Sequence, residues 1–451
     1  MIGSIAAILT TFAFLPQVFR VVKTKDTESI ALGMYVMQVI GIIAEYNPFH
    51  RGHAWQLCEL RRRYPDISGI IIAMSGSFTQ RGAPCILDKW IRARHAVDGG
   101  ADLVLELPFV FACRSAQDFA RGGVSLLMQL GVVSHLAFGT EAADIAPLER
   151  AAREIDTKKI QHRIAHGLSM GLSYAAALSS ALAEQLGIAE SILRTPNNIL
   201  GMEYLRALHA EDADITPLAL PRKTAEHGET RLRSGITSAS SIRTALGQDV
   251  PPWEHIAACV MPNVLGDLRR THPHALPSQG ELLRLLRYEI LTMADTELRS
   301  IYGISEGIEN RLVRALRMAE TYEELLTHAS AKRYPKSRIG RLAIHLLLRL
   351  QKVQTEEFDH AGCLYIRPLV FNERGKTLLR RIKKNSPLPI ITRTAEVLSS
   401  DARARSPAKL SLLQQMLAFD TRATELRMLT LPQQYGSACG TDFLSSPIYH
   451  E

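Results

Sequence analysis

"GIIAEYNPFHRGH", Gly41 to His53, is the stretch whose reading decides the fold. A short β-rich apolar run meets an Asn47-Pro48 turn. Two histidines three residues apart then open "HAWQLCELRRRY", whose apolar residues have helical spacing. Working outward, the same alternation repeats. "SGIIIAM" (Ser68–Met74) predicts a second strand and "DKWIRARHAV" a second helix. "ADLVLELP" and "AQDFARGGVSLLMQL" predict a third pair, and "VSHLAFGTE" a fourth strand. Continuous apolar strands separated by helices predict an α/β fold with a parallel sheet and crossover helices. Ligands of such sheets bind at the carboxyl ends of the strands.

His50 and His53 fall at that position. Their spacing places both imidazoles on one face of the first helical turn. The free amide N–H groups and the helix dipole point the same way, which suits a phosphate. Gly52 leaves room for a nucleotide to lie against the backbone. Two imidazole donors aimed at a phosphoryl oxygen would stabilise the charge that builds up in the transition state. The plainer reading is two surface histidines at a helix start. A zinc site would need a third ligand, and no Cys or acid nearby has motif spacing.

The 451-residue chain is long enough for two or three domains, with 46% hydrophobic and 22% charged residues and a net charge of +8. The basic excess favours a polyanionic partner, nucleic acid or an anionic membrane surface. Six scattered cysteines without a CxxC pair speak against a zinc ribbon or a disulfide framework and suit a reducing cytoplasm.

HxGH after a first strand resembles the HIGH signature of the nucleotidylyltransferase superfamily. A longer series, "GIIAEYNPFHRGH", "MSGSFTQRG", "DKWIRA", "GADLVLELPF", "SAQDFARG", "FGTE", "PNNILGMEYL", "SASSIR", "KRYPKSRIGR", "YIRPLVFN" and "DTRATEL", is similar to the tRNA(Met) cytidine acetate ligase family in residues and order, from Met37 to Leu426. The resemblance implies a Rossmann-like catalytic domain and a two-step reaction. Acetate and ATP give acetyl-adenylate and pyrophosphate, and the wobble cytidine of elongator tRNA(Met) then takes the acetyl group as 4-acetylcytidine. It also implies ATP contacts along Ile43, Ala44, Glu45, Tyr46, Asn47, Pro48, Phe49, His50, Arg51, Gly52, His53, Ala54, Trp55 and Gln56. Further contacts are implied at Gly139, Asn197, Arg222 and Lys223, with Mg2+ expected alongside ATP. Ser238 and Arg243 of "SASSIR" resemble the superfamily's second phosphate-binding turn; an ordinary capped surface helix is the alternative. Ser75, Gln80 and Arg81 are assigned to the acetate or cytidine side from their place after the second strand. The sequence departs from the family at Arg51, Ser77, Thr79, Ala83 and the "EHGE" around His227.

The catalytic domain is expected over 37–245, with a helical insertion at about 145–195, followed by a mainly helical basic domain over 246–430 and a loose tail over 431–451. "KRYPKSRIGRLAIHLLLRLQK" carries seven Lys/Arg and no acid, and "RGKTLLRRIKK" six and none. Together they suggest a surface for tRNA phosphates, with Lys332, Arg333, Lys336, Arg338, Arg341, Lys383 and Lys384 as candidates and Tyr334 as an exposed stacking group. Each run alone could equally be a solvated helix face. A cofactor-type adenylyltransferase with a small-molecule substrate is the second reading, disfavoured by the basic half.

Residues 1–36 read differently. "MIGSIAAILTTFAFLPQVFRVV" has one charge, Arg20, and is long enough to cross a bilayer. With "LPQV" and "KTKDTESIALGMYVM" it resembles the opening of SemiSWEET sugar transporters. Two of the three helices of such a protomer would be incomplete or missing, so transport does not follow. The arrangement reads as a fusion joined between Met34 and Met37, with a membrane tether as the third reading. "VIGIIAEY" is expected to enter the sheet, leaving 1–36 outside it.

Overall fold

The computed structural model describes residues 38–142, 144–221, 237–305, 307–399, 410–432 and 440–451. The expected fragment 1–36, and Arg222 and Lys223, lie outside the described residues. Among the described residues, seven strands form one sheet: β1 (Val39–Ala44), β2 (Gly69–Ser75), β3 (Leu103–Leu107), β4 (His135–Thr140), β5 (Thr216–Pro221), β6 (Pro368–Phe371) and β7 (Ile448–Tyr449). Their order is β5-β4-β1-β2-β3-β6-β7. All neighbours are parallel except β3 and β6.

The labelled helices are those of seven residues or more. The first seven are α1 (Arg51–Arg63), α2 (Lys89–Asp98), α3 (Ala116–Gln129), α4 (Ala146–Glu154), α5 (Lys158–Ser169), α6 (Tyr174–Leu186) and α7 (Pro196–Ala210). Then come α8 (Ala239–Leu246), α9 (Trp253–Cys259), α10 (Pro262–Thr271), α11 (Gln279–Thr292) and α12 (Ile308–Met318). The last five are α13 (Tyr322–Ala329), α14 (Lys336–Leu348), α15 (Lys352–Ala361), α16 (Glu373–Asn385) and α17 (Leu412–Leu429).

The apolar strands are explained by burial on both faces. Alternate residues feed two separate cores, since strand side chains have a period of two. Val39, Ile43, Ile71, Ala73, Leu103 and Leu105 join the larger core, which runs on without a break into the helices between α11 and α17. Ile40, Ile42, Ile70, Ile72, Met74 and Val104 face the other way, under α1, α2 and α8 to α10. Each strand is therefore a near-continuous hydrophobic run, as a parallel sheet requires.

The central strand β1 pairs with β2 on one side and β4 on the other. The chain leaves β1 towards β2 and later returns to β4, so the crevice at the carboxyl ends of β1 and β4 is the topological switch point. "VIGIIA" thus enters the sheet as expected. Two expectations for the C-terminal part are corrected. "LPIITR", which reads in the sequence as a strand after the second basic helix, makes only an isolated bridge, Ile390 to Ile366, because Pro387 and Pro389 have no N–H to extend a ladder. The end of the tail is not loose: residues 440–451 supply β7 and the buried Asp442, which ion pairs hold as described below.

Candidate functional site

Local sequence builds the crevice. Tyr46 takes a left-handed backbone (φ 50°), rare for a non-glycine residue, and turns the chain sharply out of β1. A cis Asn47-Pro48 peptide follows. His50 then caps α1 in place of the usual Ser or Asp. Its Nδ1 accepts the Gly52 N–H at 3.1 Å, and His53 Nδ1 accepts the His50 N–H at 3.2 Å. This is a capping box written in histidine. Because each Nδ1 accepts from an amide, Nε2 is the nitrogen left to carry the ring proton and donate. Both rings therefore present donors at a positive helix end. Phe49 and Tyr46 pack behind His53, with ring centroids 5.5 and 4.7 Å away.

Two further segments are tied to this turn, α8 and the loop after β2. Arg243, in α8, donates to the Asn47 carbonyl at 2.6 Å. Burial pushes its guanidinium below its ordinary value. Ser238 caps α8 by accepting the Ser241 N–H at 3.1 Å, and its hydroxyl contacts those of Ser240 and Ser241 at 2.9 and 2.8 Å. The "SASSIR" turn thus faces the HxGH turn as a second helix start. Gly139 lies one residue before the end of β4.

Asn197 stands in the first turn of α7, bonded to the Glu141 carboxylate. Its neighbour Asn198 does more structural work and was missed by sequence reasoning. Buried, it accepts the Thr140 hydroxyl at 2.7 Å and the Glu141 and Ala142 N–H groups at 2.9 and 3.2 Å. The doubled asparagine of "PNN" was the available signal.

The loop from Gly76 to Cys85 forms the crevice's other side. The Gln80 N–H donates to Glu45 at 2.6 Å, and the Ile86 N–H to Asn47 Oδ1 at 2.9 Å. Arg92, fully buried on α2, was also missed. Its fork reaches the carbonyls of Leu87 (3.2 Å), Glu45 (2.5 Å), Ser75 (3.1 Å) and Gly76. It therefore ties the ends of β1 and β2 together.

Of the expected substrate-side residues, Ser75 is buried at the end of β2, and among the described residues its Oγ has no hydrogen-bond partner. Arg81, within the loop, is exposed. Gln80 spends its amide on the Arg114 carbonyl at 2.8 Å.

The two basic runs lie towards opposite ends of the strands. The first meets the site loop: a Cβ on Gly82 (φ 79°) would come within 2.5 Å of the Gly340 carbonyl group, in the first turns of α14. Lys332 and Arg333 are exposed there, Lys336 pairs with Glu323, Arg338 donates to Ser305 at 3.1 Å and Arg341 is half-buried. The second run, α16, crosses the amino ends of the strands. Leu378 packs on Gly69, Gly375 on Asp102, and Asn385 on Gly131. Lys383 and Lys384 are exposed at that far end. Tyr334 is not an exposed stacking group. Its turn pairs with Ala331 in both directions at 2.9 Å, and Arg338 covers its ring, leaving it 9% exposed.

A seven-stranded sheet with a switch-point crevice, a histidine-capped helix and a second serine-capped turn defines a nucleotidyl-transferring site. The family model described as HIGH Nucleotidyl Transferase matches residues 37–440, and the chain belongs to that family. A PQ loop repeat model matches residues 1–45; its last positions, Val39–Ala44, are β1 here.

Among relatives, the tRNA(Met) cytidine acetate ligase of Syntrophomonas wolfei is 38% identical, over 91% of this chain and 99% of its own. That of Alkaliphilus metalliredigens is 33% identical, over 92% and 99%. The crystal structure of Thermotoga maritima TmcAL bound with alpha-thio ATP superposes with a TM-score of 0.80 at 30% identity, over 92% of this chain and 99% of that one.

Proposed function

We propose that the protein is an ATP-dependent ligase that activates acetate and acetylates the wobble cytidine of elongator tRNA(Met). The observation that carries this reading is the pair of histidine donors at the switch-point crevice, in a chain whose full-length relatives bear that name. ATP would lie with its phosphates between the His50–His53 turn and the Ser238–Arg243 turn. Its base would lie towards Gly139 and Asn197.

Acetate attacks the α-phosphorus, the bond to the bridging oxygen breaks, and pyrophosphate leaves. Nε2–H donors of His50 and His53 would hold the charge developing on the phosphoryl oxygens. The exocyclic amine of cytidine then attacks the acetyl carbonyl and AMP departs. That amine is a weak nucleophile because its lone pair is delocalised into the ring, so a mixed anhydride is the activation the step demands.

Among the described residues no three His, Cys, Asp or Glu side chains gather to hold a metal. Magnesium accompanying the nucleotide would be held through phosphate oxygens and water. The tRNA would approach across Lys332, Arg333, Lys336, Arg338 and Arg341, at the site's own edge, rather than across Lys383 and Lys384. Among the described residues no helix is long and apolar enough to cross a membrane.

The test is ATP–pyrophosphate exchange with and without acetate, followed by mass analysis of elongator tRNA(Met) after incubation with ATP and acetate. Acetate-dependent exchange and a gain of one acetyl group on the wobble cytidine are expected. Exchange driven by another acid, with the tRNA unmodified, would overturn the reading.

A further inference from the structure

The loop that walls the crevice is held from below by a buried polar relay that ends in the last dozen residues of the chain. The Ser77 hydroxyl contacts Thr424 Oγ1 at 3.1 Å, and Thr424 Oγ1 lies 2.8 Å from Asp442 Oδ2. Thr424 has one proton to give. The carboxylate, closer and charged, outcompetes the Asp420 carbonyl at 3.2 Å. The direction is therefore fixed: Ser77 donates to Thr424, and Thr424 to Asp442.

Asp442 is anchored in turn. Lys89 Nζ lies 2.8 Å from its Oδ1, and Arg367 lies 3.2 Å away. The same two cations hold Glu106, each at 2.8 Å. Glu106 closes the ring by packing against Gly76, where a Cβ would collide with its carboxylate. The loop is thus gripped at both Gly76 and Ser77 by one ion cluster. Lys89, Glu106, Arg367 and Asp442 are each at most 3% exposed. Two cations face these two carboxylates, and the neighbouring buried carboxyl, Asp420, is pushed up to about 7 by burial and by Glu106.

We propose that Thr424, held by Asp442 of the C-terminal segment, is a positioning residue for the Gly76–Cys85 loop and through it for acetate. This rests on the reading of the site as an acetate-activating one. The Gln80 N–H of that loop meets Glu45 at the end of β1. A loop released at Ser77 would shift against the crevice while the nucleotide's own contacts on α1 and α8 stay in place. Residues 440–444 thereby act on the chemistry without touching it. They are part of the support of the Gly76–Cys85 loop.

The experiment compares full-length wild type with Thr424→Val, which keeps shape but removes the hydroxyl, and Thr424→Ser, which keeps the hydroxyl. Acetate and ATP KM values are read from acetate-dependent exchange. Hydrogen exchange is read at Thr79, Gly82 and Cys85, whose amides close the loop internally. Thr424→Val is expected to raise the acetate KM about fivefold with little change for ATP, and to speed loop-amide exchange about tenfold. Thr424→Ser should stay near wild type in both.

Unchanged acetate KM and loop exchange in Thr424→Val would overturn the proposal. So would equal rises in both KM values together with a large fall in thermal midpoint, which mark a merely structural role. If Thr424→Val does not fold, Ser77→Ala takes its place with the same expectations. If wild type shows no acetate-dependent exchange, the functional reading falls and the hydrogen-exchange arm alone decides the positioning claim.

Discussion

His50 and His53 lie ring against ring, with centroids 3.7 Å apart and planes 23° from parallel, each accepting a backbone N–H through Nδ1. The cap that starts α1 and the donors that would meet phosphate under the proposed function are therefore the same two side chains. Stability and catalysis can still be separated. Asn is a good helix cap but lacks an imidazole donor. His50→Asn should melt within a few degrees of wild type yet lose about 10²–10³ in the rate of acetate-dependent exchange, the usual cost of one charge-stabilising donor. Exchange kinetics alongside thermal melts check this, and retained activity would rule out the donor role.

Arg92 gives a second prediction. Its guanidinium serves carbonyls of Leu87, Glu45, Ser75 and Gly76 and, among the described residues, no carboxylate. Lysine cannot fork to two strand ends at once. Arg92→Lys should leave buried carbonyls unpaired, costing roughly 1–3 kcal/mol for each left unsatisfied. With two of the four carbonyls left unpaired, urea unfolding is expected to show a fall of about 2–6 kcal/mol. A loss below about 1 kcal/mol would mean that water replaces the fork.

How much of this was legible follows from the range of each interaction. β1 to β4 were readable because a strand buried on both faces is apolar at every position, a purely local signal. The histidine pair was readable because cap and strand end adjoin in sequence. The place of β6 was not: four residues, Pro368–Phe371, pair with Leu103–Leu105 across more than 260 positions of chain. Asn198 and Asn197 are alike as letters, and only the packing of α7 turns one inward. Arg92 looks like an ordinary helical cation until the strand ends above it are placed. Asp442 sits in a polar stretch, and its burial depends on Lys89 and Arg367 from distant elements. The two basic runs read identically, yet one borders the crevice and the other lies at the opposite end of the strands.

That difference between the runs makes a third prediction. Lys383→Glu with Lys384→Glu should leave the KM for tRNA within about twofold, since exposed charges beyond about a Debye length are screened. Lys332→Glu with Arg333→Glu should raise it about tenfold or more, with a shallower dependence on salt. Steady-state acetylation at two ionic strengths checks both. The reverse pattern would move the RNA to the far end.

Gly82 carries the fourth. Its backbone is left-handed (φ 79°), and a Cβ there would meet the Gly340 carbonyl group and the Arg341 nitrogen at 2.5–2.6 Å, backbone against backbone. Nothing flexible can yield. Gly82→Ala should separate the loop from α14 and destabilise the protein by about 2–4 kcal/mol, the strain of a forbidden contact plus an unfavourable φ. Denaturant midpoints test this, and a neutral result would show that the loop stands off α14 in solution.

The last concerns pH. His345 is buried on α14, where its Nε2 meets the Cys113 carbonyl at 2.7 Å, and burial depresses its pKa to about 4. The unfolded chain takes up this proton near pH 6.5, whereas the folded protein refuses it until about pH 4. Stability from the neutral ring is thus complete above about pH 6.5 and is lost as pH falls from there towards 4, by about 1.4 kcal/mol per unit. His345→Gln keeps a donor for the Cys113 carbonyl but cannot titrate. Urea midpoints measured from pH 7.5 to 4.5 should fall more steeply for wild type than for this variant, and the two curves should converge or cross at the acid end. Parallel curves would mean that His345 takes up its proton in the folded state as readily as in the unfolded one.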